Sequence, residues 1–294
     1  MKISVIIPVY NEEKLILKCL ESLGEQSSSD FEVIVVDDGS TDQTVKLIED
    51  FQITNYPALP AGGKSRITLL HQKHKGPGAG RNYGALKAKG DILVFVDADM
   101  TFAHDFIKKL TLPIIKDQNK PAGRRGTFSK DEYVSNWDNL WVRCWNINEG
   151  WEEKRRHPRD YPDKQKVFRA ILKSEFDKVG GFDVNRGYND DWSLSEKLGY
   201  EAEIVRDAVF YHKNPDTLKE VFVQSKWVSK REYKFGLFGS VLALVRASLP
   251  FSILIGIYKS IINCSVRFLI FKIISDFGLF IGIVEMLIFK RVSK

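Results

Sequence analysis

Short apolar runs rich in β-branched residues recur through the first hundred positions: ISVIIPV (3–9), FEVIVVD (31–37), RITLLH (66–71) and DILVFVD (91–97). Helix-period segments fall between them, from about Glu12 to Leu23, from about Asp42 to Phe51, and through Gly84 to Lys89. This βαβα rhythm predicts an α/β fold with a mostly parallel sheet covered by helices on both faces. Ligands of such sheets sit beyond the carboxyl ends of the strands. Polar residues gather at those ends: Tyr10, Asn11 and Glu12, then Asp37 and Asp38, then a Gly-rich segment, then Asp97 and Asp99.

The last run poses the sharpest physical question, because VFVDADM (94–100) closes a buried strand with two carboxylates. Buried carboxylates are costly unless protonated, paired or bound to a cation. If the strand continues, Asp97 and Asp99 point to the same side, as residues two apart do. A solvated strand-end turn is the plainer reading of this motif alone.

Charge narrows the partners. The net charge is +6, of which residues 237–294 contribute +5 through seven Lys/Arg against two acids. A nearly neutral main domain argues against nucleic-acid binding, and the basic tail suits an anionic surface such as a membrane. Cys19, Cys144 and Cys264 have no CxxC or Cys/His spacing and read as reduced small hydrophobes. The apolar run 3–9 is too short for a signal peptide, so the chain is expected not to be exported.

Segments 237–258 and 268–289 are each long enough to cross a bilayer core as helices. The first holds Arg246 and Pro250; the second holds Lys272, Asp276 and Glu285, with Lys272 and Asp276 four apart and able to neutralise each other. A spanning hairpin is favoured over in-plane helices, and a buried helical subdomain is the bland alternative. Lys226, Lys230, Arg231 and Lys234 before the pair, and Lys290, Arg291 and Lys294 after it, put both ends on the cytoplasmic side.

SVIIPVYNEE, VVDDGSTD, GPGAGRNYGALKAKGD and VFVDADM occur in that order on successive strand ends. Together they resemble the family 2 nucleotide-sugar glycosyltransferases of GT-A fold, closely over residues 3–100 and more loosely to about 236. The resemblance implies a nucleotide-sugar-binding half (1–115), an acceptor-binding half of the same GT-A domain (116–236), and a membrane-associated C-terminal helical hairpin (237–294). It implies that Pro8, Tyr10, Glu12 and Asp38 line the base and ribose pocket, and that Gly76 and Arg81 meet the diphosphate. Asp97-Ala98-Asp99 looks like the DXD motif, with Asp99 the more direct ligand of Mg²⁺ or Mn²⁺ and Asp97 facing the sugar or ribose and reaching the metal through water. A nucleotide diphosphate is strongly anionic, which is why such a site needs a divalent cation and positioned donors.

Asn189-Asp190-Asp191-Trp192 matches the family's Glu-Asp pair, with Asp191 as general base and Asp190 replacing the usual Glu. Ser193 departs from the acid often found there, and Asp190 could instead cap the following helix. His212 matches a histidine that sometimes completes the metal shell, although a structural role is equally open. Trp137, Trp141 and Trp145 share a helical stripe that either packs on the sheet or meets sugar or lipid. The basic run 154–159 could hold a phosphate or lie solvated.

Gln224-x-x-Trp227 resembles an element of processive relatives, but Lys226 stands where they have Arg. The multi-span membrane channel of those relatives is also missing from this sequence, so transfer of single sugars is expected. The whole reads as an inverting, metal-dependent transferase on the cytoplasmic face of the cell membrane, taking a UDP-sugar by default and acting on polyprenyl phosphate or a lipid-linked glycan. The rivals are a nucleotidyltransferase, which would need a Gly-rich basic loop after the first strand, and a non-catalytic nucleotide-sugar-binding membrane protein.

Overall fold

The computed structural model describes residues 1–28, 30–54, 67–120, 123–186, 189–231, 233–263 and 265–289. The Pro/Gly-rich segment ITNYPALPAGGKS (53–65), which has no apolar period and is expected to be a loop, lies mostly outside them, as do Cys264, Lys290, Arg291 and Lys294. Two compact units form: Met1–Tyr133 with Asp160–Val184 and Asp190–His212, and Val134–Arg159 with Asn185–Asn189 and Lys213–Lys294.

The first unit begins with β1 (Ile3–Val9), α1 (Ile16–Gly24), β2 (Phe31–Asp37), α2 (Thr44–Thr54), β3 (Ile67–His71), α3 (Pro77–Lys87) and β4 (Ile92–Phe95). It continues with β5 (Met100–Phe102), α4 (Phe106–Asp117), β6 (Gly126–Ser129), β7 (Glu132–Val134), β8 (Lys164–Gln165), β9 (Ala170–Leu172), α6 (Lys173–Lys178), α7 (Trp192–Leu198), β10 (Ala202–Val205) and β11 (Phe210–His212). Helix α5 (Leu140–Glu149) belongs to the second unit.

The main sheet runs β3-β2-β1-β4-β9-β6-β10-β8, and a small sheet runs β5-β11-β7. Strands β1, β2, β3 and β4 are parallel neighbours as the rhythm predicts, but β9 is antiparallel to both β4 and β6. The sheet is therefore mixed. Period-two alternation sorts its core: Val5, Ile7 and Val9 face one cluster with α1 and α4, while Ile6, Ile34 and Val36 face another with Ala85 and Ala88.

Helix α3 starts earlier than its apolar period suggests. Pro77 occupies the first turn, where its missing N–H costs nothing, and Gly76 before it takes φ 94°. Gly84 then lets the helix approach the sheet, since a Cβ there would come within 2.5 Å of Ile6 Cγ2.

The second unit comprises α5, α8 (Leu218–Ser229), α9 (Gly236–Arg246), α10 (Leu249–Ile262) and α11 (Arg267–Phe289). Asn139 caps α5 by accepting from the Trp141 and Val142 amides, and Thr217 caps α8 by accepting from Glu220 N. Of the Trp stripe, Trp145 is buried against Val221, Phe268 and Phe271, with Trp141 and Trp151 at the margin. Its packing partners are thus α8 and α11, and Trp137 lies before the helix starts. The basic loop is held internally: Arg155 and Arg159 reach Glu152, and Arg156 stacks over Trp151.

The expected span 237–258 is not one helix. Ala247 closes α9, Ser248 is extended, and Pro250 enters the first turn of α10. Among the described residues no single helix is long and apolar enough to cross a membrane; α9 and α10 meet that test only together, bent by 58°. Helix α11 is continuous, with Lys272 pairing Asp276 at 2.8 Å as their spacing suggests.

Candidate active site

The sheet edge beyond β1 and β2 is tied together by short polar contacts. Asn11 takes a left-handed conformation (φ 56°), and its Oδ1 accepts from Thr41 N at 2.8 Å. Glu12 N donates to Thr44 Oγ1 at 2.8 Å, fixing the Glu12 backbone above β1. Asp38 is buried and accepts from Gln72 Nε2 (2.6 Å), Lys75 N (2.8 Å) and Gly76 N (2.8 Å), with His74 Nδ1 at 2.9 Å. Thus Asp38 and Gly76, both expected at the nucleotide, are joined directly. His74 stacks on Tyr10 with centroids 4.1 Å apart, and Tyr10 remains exposed. Pro8 packs beneath α3, where a Cβ on Gly80 would lie 3.0 Å from Pro8 Cβ.

Strand β4 stops at Phe95, and residues 96–99 turn, with Met100 N donating to Asp97 O at 3.2 Å. The Asp97 and Asp99 side chains therefore diverge instead of sharing one strand face. Asp97 lies between two guanidinium groups, 2.7 Å from Arg81 Nη2 and 3.3 Å from Arg169 Nη1. Burial pushes the Asp97 carboxyl upward, but Arg81 and Arg169 outweigh it and bring it down to about 2.

Asp99 turns the other way, placing Oδ2 3.0 Å from His212 Nε2. The small sheet explains this, because its register sets His212 opposite Met100, next to Asp99. Behind the imidazole, Nδ1 lies 2.8 Å from Glu132 Oε1 on β7. A carboxylate behind a histidine is the usual support of a metal-bound imidazole. Among the described residues no group of three or more His, Cys, Asp or Glu is placed to hold a metal. Asp99 nevertheless offers a carboxylate of the kind that Mg²⁺ or Mn²⁺ takes beside phosphate oxygens and water, and with the His212 nitrogen 3.0 Å from it the pair fits Mn²⁺, which accepts imidazole, better than Mg²⁺.

Asp190 and Asp191 come to the same edge from the segment before α7. Asp190 is buried, with Oδ1 3.4 Å from Arg81 Nη1, and it accepts from Gly78 N. Its carbonyl, and not its carboxylate, takes the Ser193 amide, so the expected helix cap is not made by the Asp190 side chain. A Cβ on Gly78 would press on Asp190 Oδ2, so a side chain there would push the Asp190 carboxylate aside. Ser193 ties the segment down, its Oγ accepting from Asp183 N at 2.8 Å.

Asp191 forms no side-chain cap to α7, and among the described residues its buried Oδ1 has no hydrogen-bond partner. Burial pushes its carboxyl up to about 6, with Arg81 opposing and Asp190 reinforcing. Burial likewise raises Asp190, against the pull of Arg81. Arg81 joins the two constellations, since one guanidinium contacts both Asp97 and Asp190. Arg169, Glu132 and His74 are the site residues that sequence reasoning missed. Arg169 reaches Asp97 across 72 positions and stands over the Phe210 ring at 5.4 Å, a placement that no local motif signals.

A model of the family described as glycosyl transferase family 2 matches residues 4–180. The chain belongs to this family. Among proteins with curated sequences, the poly(ribitol-phosphate) beta-N-acetylglucosaminyltransferase TarS of Staphylococcus aureus is 41% identical over 114 residues, 38% of this chain and 18% of TarS. The uncharacterized glycosyltransferase EpsJ of Bacillus subtilis is 35% identical over 233 residues, 74% of this chain and 63% of EpsJ. The chain thus spans less than two thirds of the length of either relative.

Two solved structures share the fold. TarS 1–349 in complex with UDP superposes with a TM-score of 0.55 at 17% identity, covering 100% of this chain and 93% of that one. The mannosyltransferase PcManGT of Pyrobaculum calidifontis, in complex with GDP-Man and Mn²⁺, gives 0.59 at 21% identity, covering 99% and 88%. The α/β unit of this family 2 chain is accordingly GT-A-like, with a mixed sheet.

Proposed function

We propose that the chain is an inverting glycosyltransferase that moves a single sugar from a nucleotide diphosphate sugar to a membrane-proximal acceptor, polyprenyl phosphate or a lipid-linked glycan, on the cytoplasmic face of the cell membrane. The observation that carries the reading is Asp191: a buried carboxyl raised to about 6, beside the Arg81–Asp97 pair, with one oxygen that has no partner among the described residues. A general base works best near the operating pH and needs a free acceptor lone pair. Family membership supports the activity class, and the UDP in TarS and the GDP-Man in PcManGT support a nucleotide-sugar donor. UDP-sugar is the donor class to test first.

In this mechanism Tyr10 and the backbone around Pro8 and Glu12 receive the base and ribose, Asp38 holds the 74–76 loop that lines their pocket, and Gly76 and Arg81 border the diphosphate. Asp97, held between Arg81 and Arg169, presents its remaining lone pairs to ribose or sugar hydroxyls. Asp191 takes the acceptor proton as the acceptor oxygen attacks the anomeric carbon from the side opposite the diphosphate. The bond to the diphosphate breaks with its electron pair, so the configuration inverts. A divalent cation, Mn²⁺ in preference to Mg²⁺, would be held by Asp99 and His212 and would supply neutralising charge to the diphosphate.

The test is transfer across a panel of nucleotide sugars with Mn²⁺, read beside donor binding. Asp99→Ala is expected to lose metal-dependent donor binding. Asp191→Asn is expected to keep donor binding and lose transfer by about 10³-fold, within the range for a removed general base. Unaltered transfer in Asp191→Asn would sink the base assignment.

A further inference from the structure

Helix α10 is built inside out. Its buried stripe is small or polar: Ser252 donates to Asp276 Oδ2 at 2.8 Å, and Gly256 lies against α11, where a Cβ would come 2.6 Å from Leu269 Cδ1. Lys259, on the same side, donates to Ile147 O at 2.9 Å. The exposed positions are Leu249, Phe251, Ile253, Leu254, Ile255, Ile257, Tyr258, Ile261 and Ile262. At 100° per residue they cover roughly 200° or more of the circumference. Helix α9 adds exposed Leu237, Phe238, Val241, Leu242 and Val245 on one side.

A face meant for a second protein would be one-sided and bounded by polar residues. Here the apolar surface wraps most of the helix, while small and polar groups make the helix–helix contact, as in lipid-immersed helices. The charges agree with a lipid partner. Between 233 and 289 the only acids are Asp276, paired with Lys272, and Glu285, paired with Lys226 and Lys230. Lys234, Arg246 and Arg267 are exposed beside the apolar surface, giving a cationic border suited to anionic headgroups.

Crossing is disfavoured by charge and not by length. Arms of 11 and 14 residues meeting at 58° span roughly 30 Å end to end, about the thickness of a hydrocarbon core. Exposed Arg246 sits at the 58° bend, which in a crossing pair would fall near the bilayer centre. At a surface its guanidinium reaches the headgroups while its stem stays apolar.

We propose that α9 and α10 form a bent wedge lying in one leaflet of an anionic membrane, with the Ser252–Gly256 stripe turned to α11 and Arg246 at headgroup level. This rests on the membrane part of the functional reading and changes its form from a spanning hairpin to an in-plane anchor.

The full chain should float with phosphatidylcholine vesicles that contain phosphatidylglycerol and far less with phosphatidylcholine alone. Leu254→Asp, on the exposed face, should lower the bound fraction roughly tenfold or more at unchanged unfolding stability. For topology, Val266→Cys in a Cys264→Ser background should react with a membrane-impermeant maleimide on sealed inverted membrane vesicles without detergent. Labelling only after detergent overturns the wedge while leaving membrane association intact. Failure to float on anionic vesicles, including the case in which the chain forms a dimer instead, overturns both the wedge and the membrane-proximal acceptor. Neither result touches donor binding or the Asp191 assignment.

Discussion

Each unit buries a carboxylate near basic side chains, and the two are handled in opposite ways. In the helical unit Asp276 is 2% exposed and both its oxygens are engaged, Oδ1 by Lys272 at 2.8 Å and Oδ2 by Ser252 at 2.8 Å. In the sheet unit Asp191 leaves a buried oxygen without a partner among the described residues, while Arg81 contacts Asp97 and Asp190. A satisfied buried carboxylate is a strut. An unsatisfied one keeps its binding capacity for something that arrives later, which is the arrangement that catalysis needs.

Stability should separate them most strongly. Asp276→Asn leaves Lys272 without its charge partner, and breaking such a pair costs about 3–5 kcal/mol in chemical unfolding. Asp191→Asn should leave stability at pH 7 unchanged or raise it. The sign follows from its carboxyl being raised to about 6: the charged form is disfavoured in the folded state, so removing the charge relieves a cost. Equal losses in the two variants would break the contrast.

Much of the sheet unit is legible in sequence because local pattern and burial agree there. Strands β1 and β2 have the bounds that their apolar runs mark, and the polar strand ends do meet at one edge. The part that is not legible is carried by short strands and distant partners. Strands β9 and β7 are three residues each, too short to show a period, yet β9 follows directly on Arg169 and β7 carries Glu132. The divergence of Asp97 and Asp99 depends on β4 ending at Phe95, which the apolar VFV does not disclose. In the helical unit, hydrophobicity marks the 237–262 stretch but not its break, which the local backbone at Ser248 and the following Pro250 make.

Titration sharpens the comparison within the sheet unit. Asp97, brought down to about 2 by its two arginines despite its burial, stays ionised through the working range, whereas Asp191 gains a proton as pH falls through about 6. A protonated Asp191 cannot accept the hydroxyl proton. The rate at saturating donor and low acceptor should therefore fall about tenfold per pH unit below about 6, equivalent to about 1.4 kcal/mol per unit. A pH–rate profile that is flat down to pH 4.5 or so would move the base role away from Asp191.

The smallest expected change is the one that best probes the helical unit. Ile257 lies on the outward side of α10 at 46% exposure, where a buried-core rule would call it misplaced. If water were its true surroundings, Ile257→Ser would remove an exposed apolar group and alter unfolding by no more than about 0.5 kcal/mol, as surface substitutions do. The wedge predicts the same small value without lipid. With anionic vesicles present, wild type should gain stability by mass action because lipid binds the folded chain, and the variant should gain less. A vesicle-dependent gap between two chains that unfold alike in buffer therefore measures what this side chain contributes to lipid and nothing else. No gap would mean that the outward face of α10 meets something other than lipid.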